Sequence, residues 1–352
     1  MSASAVRPLK LADNRVPVFY AGGAKINKFR AQPNDVQGPE DWVGSITKLP
    51  PSILPQGVDP KTGTSITEEG FLDDLITANP QAWLGDELSK IMKDNSSLLV
   101  KLLDAGERLP VHAHPTRDFA KQHLNSFFGK TEGWIVLDSD PGSKIWLGMR
   151  EEISAEELAL HIHDQSIEKI LGLMNEYTVS VGQVIYVPAG TLHAIGPGTL
   201  IAECQEPTSF SILCEYKTFG LSESAATLGL GWEKVISGLT LKPDLHAIEN
   251  YFPKERELLK TDSSNINSLF AKEGDEFFRA LRVMTTSEVT LPPHSFAILI
   301  VSHGSGHLTW DSGEIGISSG ETFVIPAASS GVKLVGDVGG ILFLPPLLSK
   351  IF

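Results

Sequence analysis

The sequence predicts a mainly β protein built of two β-barrel units, with helices inserted in the first. Two observations lead there. The 22 prolines and 32 glycines are scattered along the chain rather than clustered, as a turn-rich architecture requires. Between them run short apolar or alternating stretches of strand length, such as 97-SLLVKLLDAG-106 and 341-ILFLPP-346, with longer helical periodicity confined to two regions.

With 352 residues the chain is long enough for a large core and two domains. The first helical region includes 66-ITEEGFLDDLITANP-80, whose spacing puts Phe71, Leu72, Leu75 and Ile76 on one face. The second, at about 153–175, opens with 154-SAEE-157, where Ser154 and Glu157 have capping-box spacing. Strands are expected at 97–106 and again over 177–219, followed by a linker of helical character to about 260. Residues 278–346, with 297-AILIVSHG-304 and 321-ETFVIPAASSG-331, read as a second all-β unit. The expected division is therefore 1–258, with helices inserted at about 60–95 and 150–176, and 259–352.

Charge and composition exclude some function classes. The net charge is −14 without a block of consecutive basic residues, so no nucleic acid is expected as partner. The same field repels small anions, and any phosphate site must be built from a few local cations. No apolar run reaches membrane-spanning length and the N-terminus lacks a signal-peptide core, so the expectation is no membrane and a cytoplasmic location. Cys204 and Cys214 are the only cysteines; they read as buried free thiols in a reducing compartment.

The chemistry concentrates in 106-GERLPVHAHP-115. Side chains alternate along a strand, so His112 and His114 point the same way. The other H-x-H, 161-HIH-163, falls on a helix, where side chains two residues apart diverge by about 200° and cannot share one ion. Downstream, 182-GQVIYVPAGTLHAIG-196 sets Pro188, Gly190 and His193 behind Gly182, as His112 and His114 stand behind Gly106. The two spacings resemble the halves of the cupin signature. A small barrel aims side chains inward from several strands and can surround one cation. His112, His114 and His193, joined by Glu132 from 129-GKTEGWIVLD-138, are the expected ligands of one divalent transition metal. Zinc comes first, with iron, manganese, cobalt or nickel as alternatives.

These residues lead to a family. The stretches 97-SLLVKLLDAGERLPVHAHP-115, 129-GKTEGW-134 and 187-VPAGTLHAIGPGTLIAECQ-205 resemble the type I mannose-6-phosphate isomerases, cupin enzymes with zinc. The likeness covers about residues 95–206 and extends weakly to 41-DWVGS-45. The C-terminal residues, with 320-GETFVIPAASSG-331, resemble the family's degenerate second cupin, which lacks a histidine after its proline turn.

The resemblance implies a metal-dependent aldose–ketose isomerase acting on mannose 6-phosphate and fructose 6-phosphate, or on a related sugar, through a cis-enediolate. It implies catalytic roles for Lys101 and Lys130, and places Glu203 and Gln205 on the substrate pocket. The sequence also departs from the family. His112 replaces a glutamine, and an aspartate/arginine pair that acts on substrate is missing near Pro207 and Ser211. Strand parity from Ser211 offers Glu215 and Lys217 as substitutes, and Arg117 is placed to reach the rim. The partner expected is a sugar or sugar phosphate, and the protein a monomer or homodimer. Two other classes stay open: a non-catalytic, metal-containing sugar-binding or regulatory cupin, which the missing pair favours, and a cupin metal enzyme of another kind, such as an oxygenase.

Overall fold

The structure is a computed structural model that describes residues 6–33, 36–49, 59–270, 272–292 and 295–351. It is mainly β, as expected. A six-stranded antiparallel sheet runs in the order Val184–Val187, Glu132–Ser139, Thr199–Gln205, Leu99–Ala105, Glu40–Val43, Arg15–Val16. A five-stranded sheet runs Met174–Thr178, Lys144–Met149, His193–Ile195, His112–Ala113, Ile212–Leu213. Leu103, Trp134, Val136, Ile185 and Ile201 of the first sheet pack in one cluster with Ile145, Leu147 and Ile195 of the second, so the two sheets face each other across a shared interior.

The strand Leu99–Ala105 explains why its sequence is almost uninterruptedly apolar: every residue in it is buried. Its odd-numbered side chains look into the interior shared with the facing sheet. Of its even-numbered ones, Val100 and Leu102 pack with Ile135, Ala202 and Cys204 against Ile298, Ile300, Val324, Ile341 and Phe343 of a C-terminal sheet. That third sheet has nine strands, among them Ala297–Trp310, Thr322–Ile325 and Lys333–Leu344, and its other face carries a separate apolar core. It includes the N-terminal strand Leu9–Lys10 as well as Arg256–Lys260, so the residue 258/259 boundary expected from the sequence falls within a strand.

The first helical region is a two-strand hairpin followed by three short helices, Leu72–Ala78, Pro80–Leu84 and Asp86–Met92. The break between the first two follows from Asn79-Pro80: proline sits at the first helical position and the Asn79 side chain accepts the Ala82 N–H at 3.2 Å. Leu72, Ile76, Trp83, Leu84 and Leu88 bury into the core between the first and C-terminal sheets. The second region forms Ala155–His163 and Ile167–Gly172, with the Ser154 hydroxyl accepting the Glu157 N–H at 3.1 Å as its spacing predicted. Among the described residues no helix is long and apolar enough to cross a membrane. Cys204 and Cys214 are buried and free.

Asp104 shows how the barrel fixes its surroundings. Its carboxylate accepts the N–H groups of Lys25 (2.6 Å) and Ile26 (3.1 Å), capping the short helix Lys25–Phe29 from a distant strand. Asp104→Ala should lower stability by about 1–2 kcal/mol, as loss of a helix cap does, read as a shift in the urea midpoint at constant m-value.

Candidate metal centre

Register determines what the interior of the first sheet presents. Lys101 pairs with Trp42 on one side and Glu203 on the other, and Glu203 pairs with Trp134. Cross-strand partners share a face, so Trp42, Lys101, Glu203 and Trp134 form one row. Gln205 pairs with Glu132 in the next row. From the facing sheet His193 pairs with His112, and His114 follows two residues on. The Pro188–His193 turn is held by Gly190, whose φ of +84° favours glycine and whose N–H donates to the His114 carbonyl at 2.7 Å.

The structure brings His112, His114 and His193 together. Their rings lie 4.0–4.9 Å apart, and one nitrogen from each falls within 4.8 Å of the others. Each Nδ1 faces a carbonyl oxygen: Pro110 at 2.8 Å for His112, Phe210 at 2.8 Å for His114, Thr191 at 2.9 Å for His193. A carbonyl only accepts, so each Nδ1 carries the proton and each Nε2 keeps its lone pair. Burial pushes all three imidazoles toward the neutral form, His114 down to about 3, with the Lys130 ammonium adding to its shift.

Neutral imidazoles create a local conflict that a cation resolves. Glu132 Oε1 lies 2.9 Å from His114 Nε2, and Glu132 Oε2 lies 3.7 Å from His193 Nε2. Both sides of these pairs are acceptors, and acceptors held this close repel unless positive charge sits among them. The Lys130 ammonium meets part of this demand, at 3.0 Å from Glu132 Oε1 and 3.1 Å from His114 Nε2. His193 Nε2 is buried with no hydrogen-bond partner. Three inward lone pairs and a carboxylate fit a divalent transition metal, and Trp134 Nε1, donating to Glu132 Oε2 at 3.1 Å, orients the carboxylate.

A second buried network adjoins the first. Lys101 Nζ stands 3.2 Å from Glu203 Oε1 and 3.5 Å from Glu40 Oε2, over the Trp42 ring at 5.3 Å. Burial opposes its charge, but Glu203, Glu40 and Glu132 together raise its pKa, so Lys101 is a fixed cation. A raised pKa suits charge pairing rather than proton transfer by Lys101. Burial pushes the Glu203 carboxyl up to about 7, with Glu132 adding and Lys101 opposing. Glu40 was not singled out from the sequence. It accepts from Tyr20 Oη at 2.5 Å and from Trp42 Nε1 at 2.7 Å, and its parity with Trp42 in 40-EDW-42, beside the strand bearing Lys101, was the available signal.

Gln205 is fully buried; its Nε2 donates to the Glu206 and Thr208 carbonyls while its Oε1 has no partner. Three further expectations need correction. Glu215 is held by Arg108, which donates to its two oxygens at 2.6 and 2.9 Å, and it also accepts the Val111 N–H. Lys217 is exposed and donates to the His163 carbonyl at 2.9 Å. The parity argument failed because strand pairing there ends at Leu213. Arg117 is paired with the buried Glu206 rather than extended to a rim.

Residues 54–143 match the family model described as phosphomannose isomerase type I, catalytic domain. Over 233 residues, 65% of this chain and 69% of the relative, the chain is 29% identical to the probable mannose-6-phosphate isomerase GmuF of Bacillus subtilis (strain 168). Over these segments the chain is similar to the type I phosphomannose isomerases. The likeness to named isomerases supports an isomerase, with the mainly β cupin fold the sequence implied. The fold likeness extends over nearly the whole chain. The crystal structure of the mannose 6-phosphate isomerase from Bacillus subtilis matches with a TM-score of 0.76 at 22% identity, covering 96% of this chain and 99% of that one. A mannose 6-phosphate isomerase bound with zinc and yttrium matches with a TM-score of 0.72 at 16% identity, covering 97% and 100%.

Proposed function

We propose that this protein interconverts an aldose phosphate and a ketose phosphate, mannose 6-phosphate and fructose 6-phosphate first among them. In this reading His112, His114, Glu132 and His193 hold one zinc ion. The observation that carries it is the buried convergence of three imidazole lone pairs on a carboxylate, beside a lysine that partly neutralises it. The relatives named mannose-6-phosphate isomerase, and a fold neighbour that binds zinc, support the choice of substrate and metal.

When bound, such an ion polarises the sugar carbonyl and stabilises negative charge on its oxygens. The chain's residues supply the rest. Glu203, with a carboxyl near neutrality in the metal-free protein, takes the C2 proton and returns it to C1. Lys101 holds Glu203 and Glu40 in place as a permanent cation. Lys130 Nζ donates to a substrate oxygen next to the metal ligands. The unpartnered Gln205 Oε1 accepts from a sugar hydroxyl. Trp42 and Trp134 line the row and keep water from the reacting atoms. We place the metal in the first unit alone, with the second unit beginning at Arg256, and read the protein as cytoplasmic from its two free thiols.

The test is NMR of zinc-loaded protein with fructose 6-phosphate in D₂O. Mannose 6-phosphate carrying deuterium at C2, or deuterium entering C1 of the ketose, is the expected outcome. Neither signal, with one equivalent of zinc confirmed, would refute the reading.

A further inference from the structure

The C-terminal unit meets the metal-site strand directly at one place and reaches it through Arg117 at a second. The first is Gly133, the residue after Glu132. A Cβ added there would lie 2.4 Å from Phe270 Cζ and 2.8 Å from Phe278 Cε2, so the two rings press on bare backbone. The rings brace each other edge to face at 5.2 Å.

The second is Arg117. Its Nε pairs with Glu206 Oε1 at 2.5 Å, its NH2 donates to the Glu276 carbonyl at 2.8 Å, and its guanidinium lies 4.5 Å over the Phe277 ring. Glu206 is fully buried, and its other oxygen accepts the Thr131 N–H at 3.0 Å. Lys130 N–H donates to the Pro115 carbonyl at 3.0 Å, just ahead of Arg117, and Thr208 Oγ1 donates to the Gly129 carbonyl at 2.7 Å. The short stretch that delivers Lys130 and Glu132 is thus tied to Glu206, and Glu206 is tied through Arg117 to Glu276 and Phe277. Only an arginine fork serves a carboxylate, a carbonyl and an aromatic face together.

We propose that Phe270, Glu276, Phe277 and Phe278 form a clamp, closed by the positioning residues Arg117 and Glu206, that sets Lys130 and Glu132 against the three imidazoles. The clamp gives the C-terminal unit, whose own interior is packed with apolar side chains, a part in the metal site. It rests on the ligand assignment above for its metal readout, but not on turnover.

The experiment compares wild type with Arg117→Gln, Arg117→Lys and Arg282→Gln. Two quantities are read: zinc affinity by chelator competition, and hydrogen exchange of the 129–133 amides in metal-free protein. Arg117→Gln should exchange these amides faster and bind zinc about 10–100-fold more weakly, the usual cost of losing support behind a ligand. Arg117→Lys should recover part of both, because it can pair with Glu206 but has no second arm for Glu276. Arg282 also links the two units, donating to the Gly182 carbonyl at 2.9 Å, yet Arg282→Gln should change neither readout. If Arg117→Gln does not fold, Phe277→Leu removes only the stacked ring and should move both readouts the same way. The clamp is refuted if amide exchange over 129–133 stays at the wild-type rate, or if Arg282→Gln loosens the site equally. Should wild type bind no zinc, the exchange rates alone decide; should it bind zinc without isomerising fructose 6-phosphate, the proposed function fails and the clamp is still judged.

Discussion

His193→Ala should lower zinc affinity by more than about 100-fold, since losing an outer support alone costs about 10–100-fold and this change removes a ligand. The fold should survive. His193 Nε2 is already buried without a partner, so truncation removes an unsatisfied polar atom along with one hydrogen bond, that to Thr191. The net cost is therefore about 1–2 kcal/mol. Metal content after gel filtration and a urea midpoint separate the two effects. His163→Ala makes the matched control, because that imidazole is 82% exposed on the inserted helix and pairs with Asp164. A full equivalent of zinc retained by His193→Ala would overturn the ligand set.

What could be read in the sequence was what strand parity and fixed spacing control. His112 and His114 were expected to share a face, and their rings do lie together; the second motif's spacing was expected to bring His193 to the same pair, and it pairs with His112. Those relations are local, or follow from two short motifs. What could not be read was partnership between strands distant in sequence. Lys101 was visible as a charge in an apolar strand, but its pairing with Glu203 and Trp42 depends on a sheet order that puts residues 42, 101, 203 and 134 side by side. Without that order Glu40 and Tyr20 carry no signal, and Lys101 looks like a candidate base instead of a cation enclosed by carboxylates.

The misplaced residues fail for an equally physical reason. Carrying alternation from Ser211 to Glu215 and Lys217 assumes an unbroken strand. The pairing covers only Ile212 and Leu213, after which the Glu215 N–H turns to the Val111 carbonyl and its carboxylate meets the Arg108 fork. A free carboxylate and a paired one look alike in sequence. Arg117 was identified as notable for a residue after the His-Pro turn, but its buried counter-charge, Glu206, lies 89 residues further on.

Lys101→Met should be the most destabilising substitution in the site, by about 3–5 kcal/mol at pH 8.5, because it strips the counter-charge from buried carboxylates. Its pH dependence identifies the cause. In the wild type Lys101 is raised above its ordinary pKa, so it is charged in both states below about pH 10.4 and its own titration adds no pH dependence from pH 5 to 9. Glu203 behaves differently. Its folded value of about 7 lies above the ordinary 4.5, so between these limits the folded state holds a proton that the unfolded state has released. Stability of the metal-free protein therefore rises as pH falls through this window. Removing Lys101 takes away the attraction that held Glu203 down, pushes its carboxyl higher, and extends the window upward. The penalty of Lys101→Met should consequently be largest at pH 8.5 and shrink toward pH 5.5, where Glu203 is protonated in both proteins. Glu40 limits the recovery, because Tyr20 and Trp42 still hydrogen-bond its ionised form and favour keeping it charged. Urea unfolding of both proteins in EDTA at the two pH values measures this directly. An equal penalty at both would mean that Lys101 stabilises by packing on Trp42 rather than by charge.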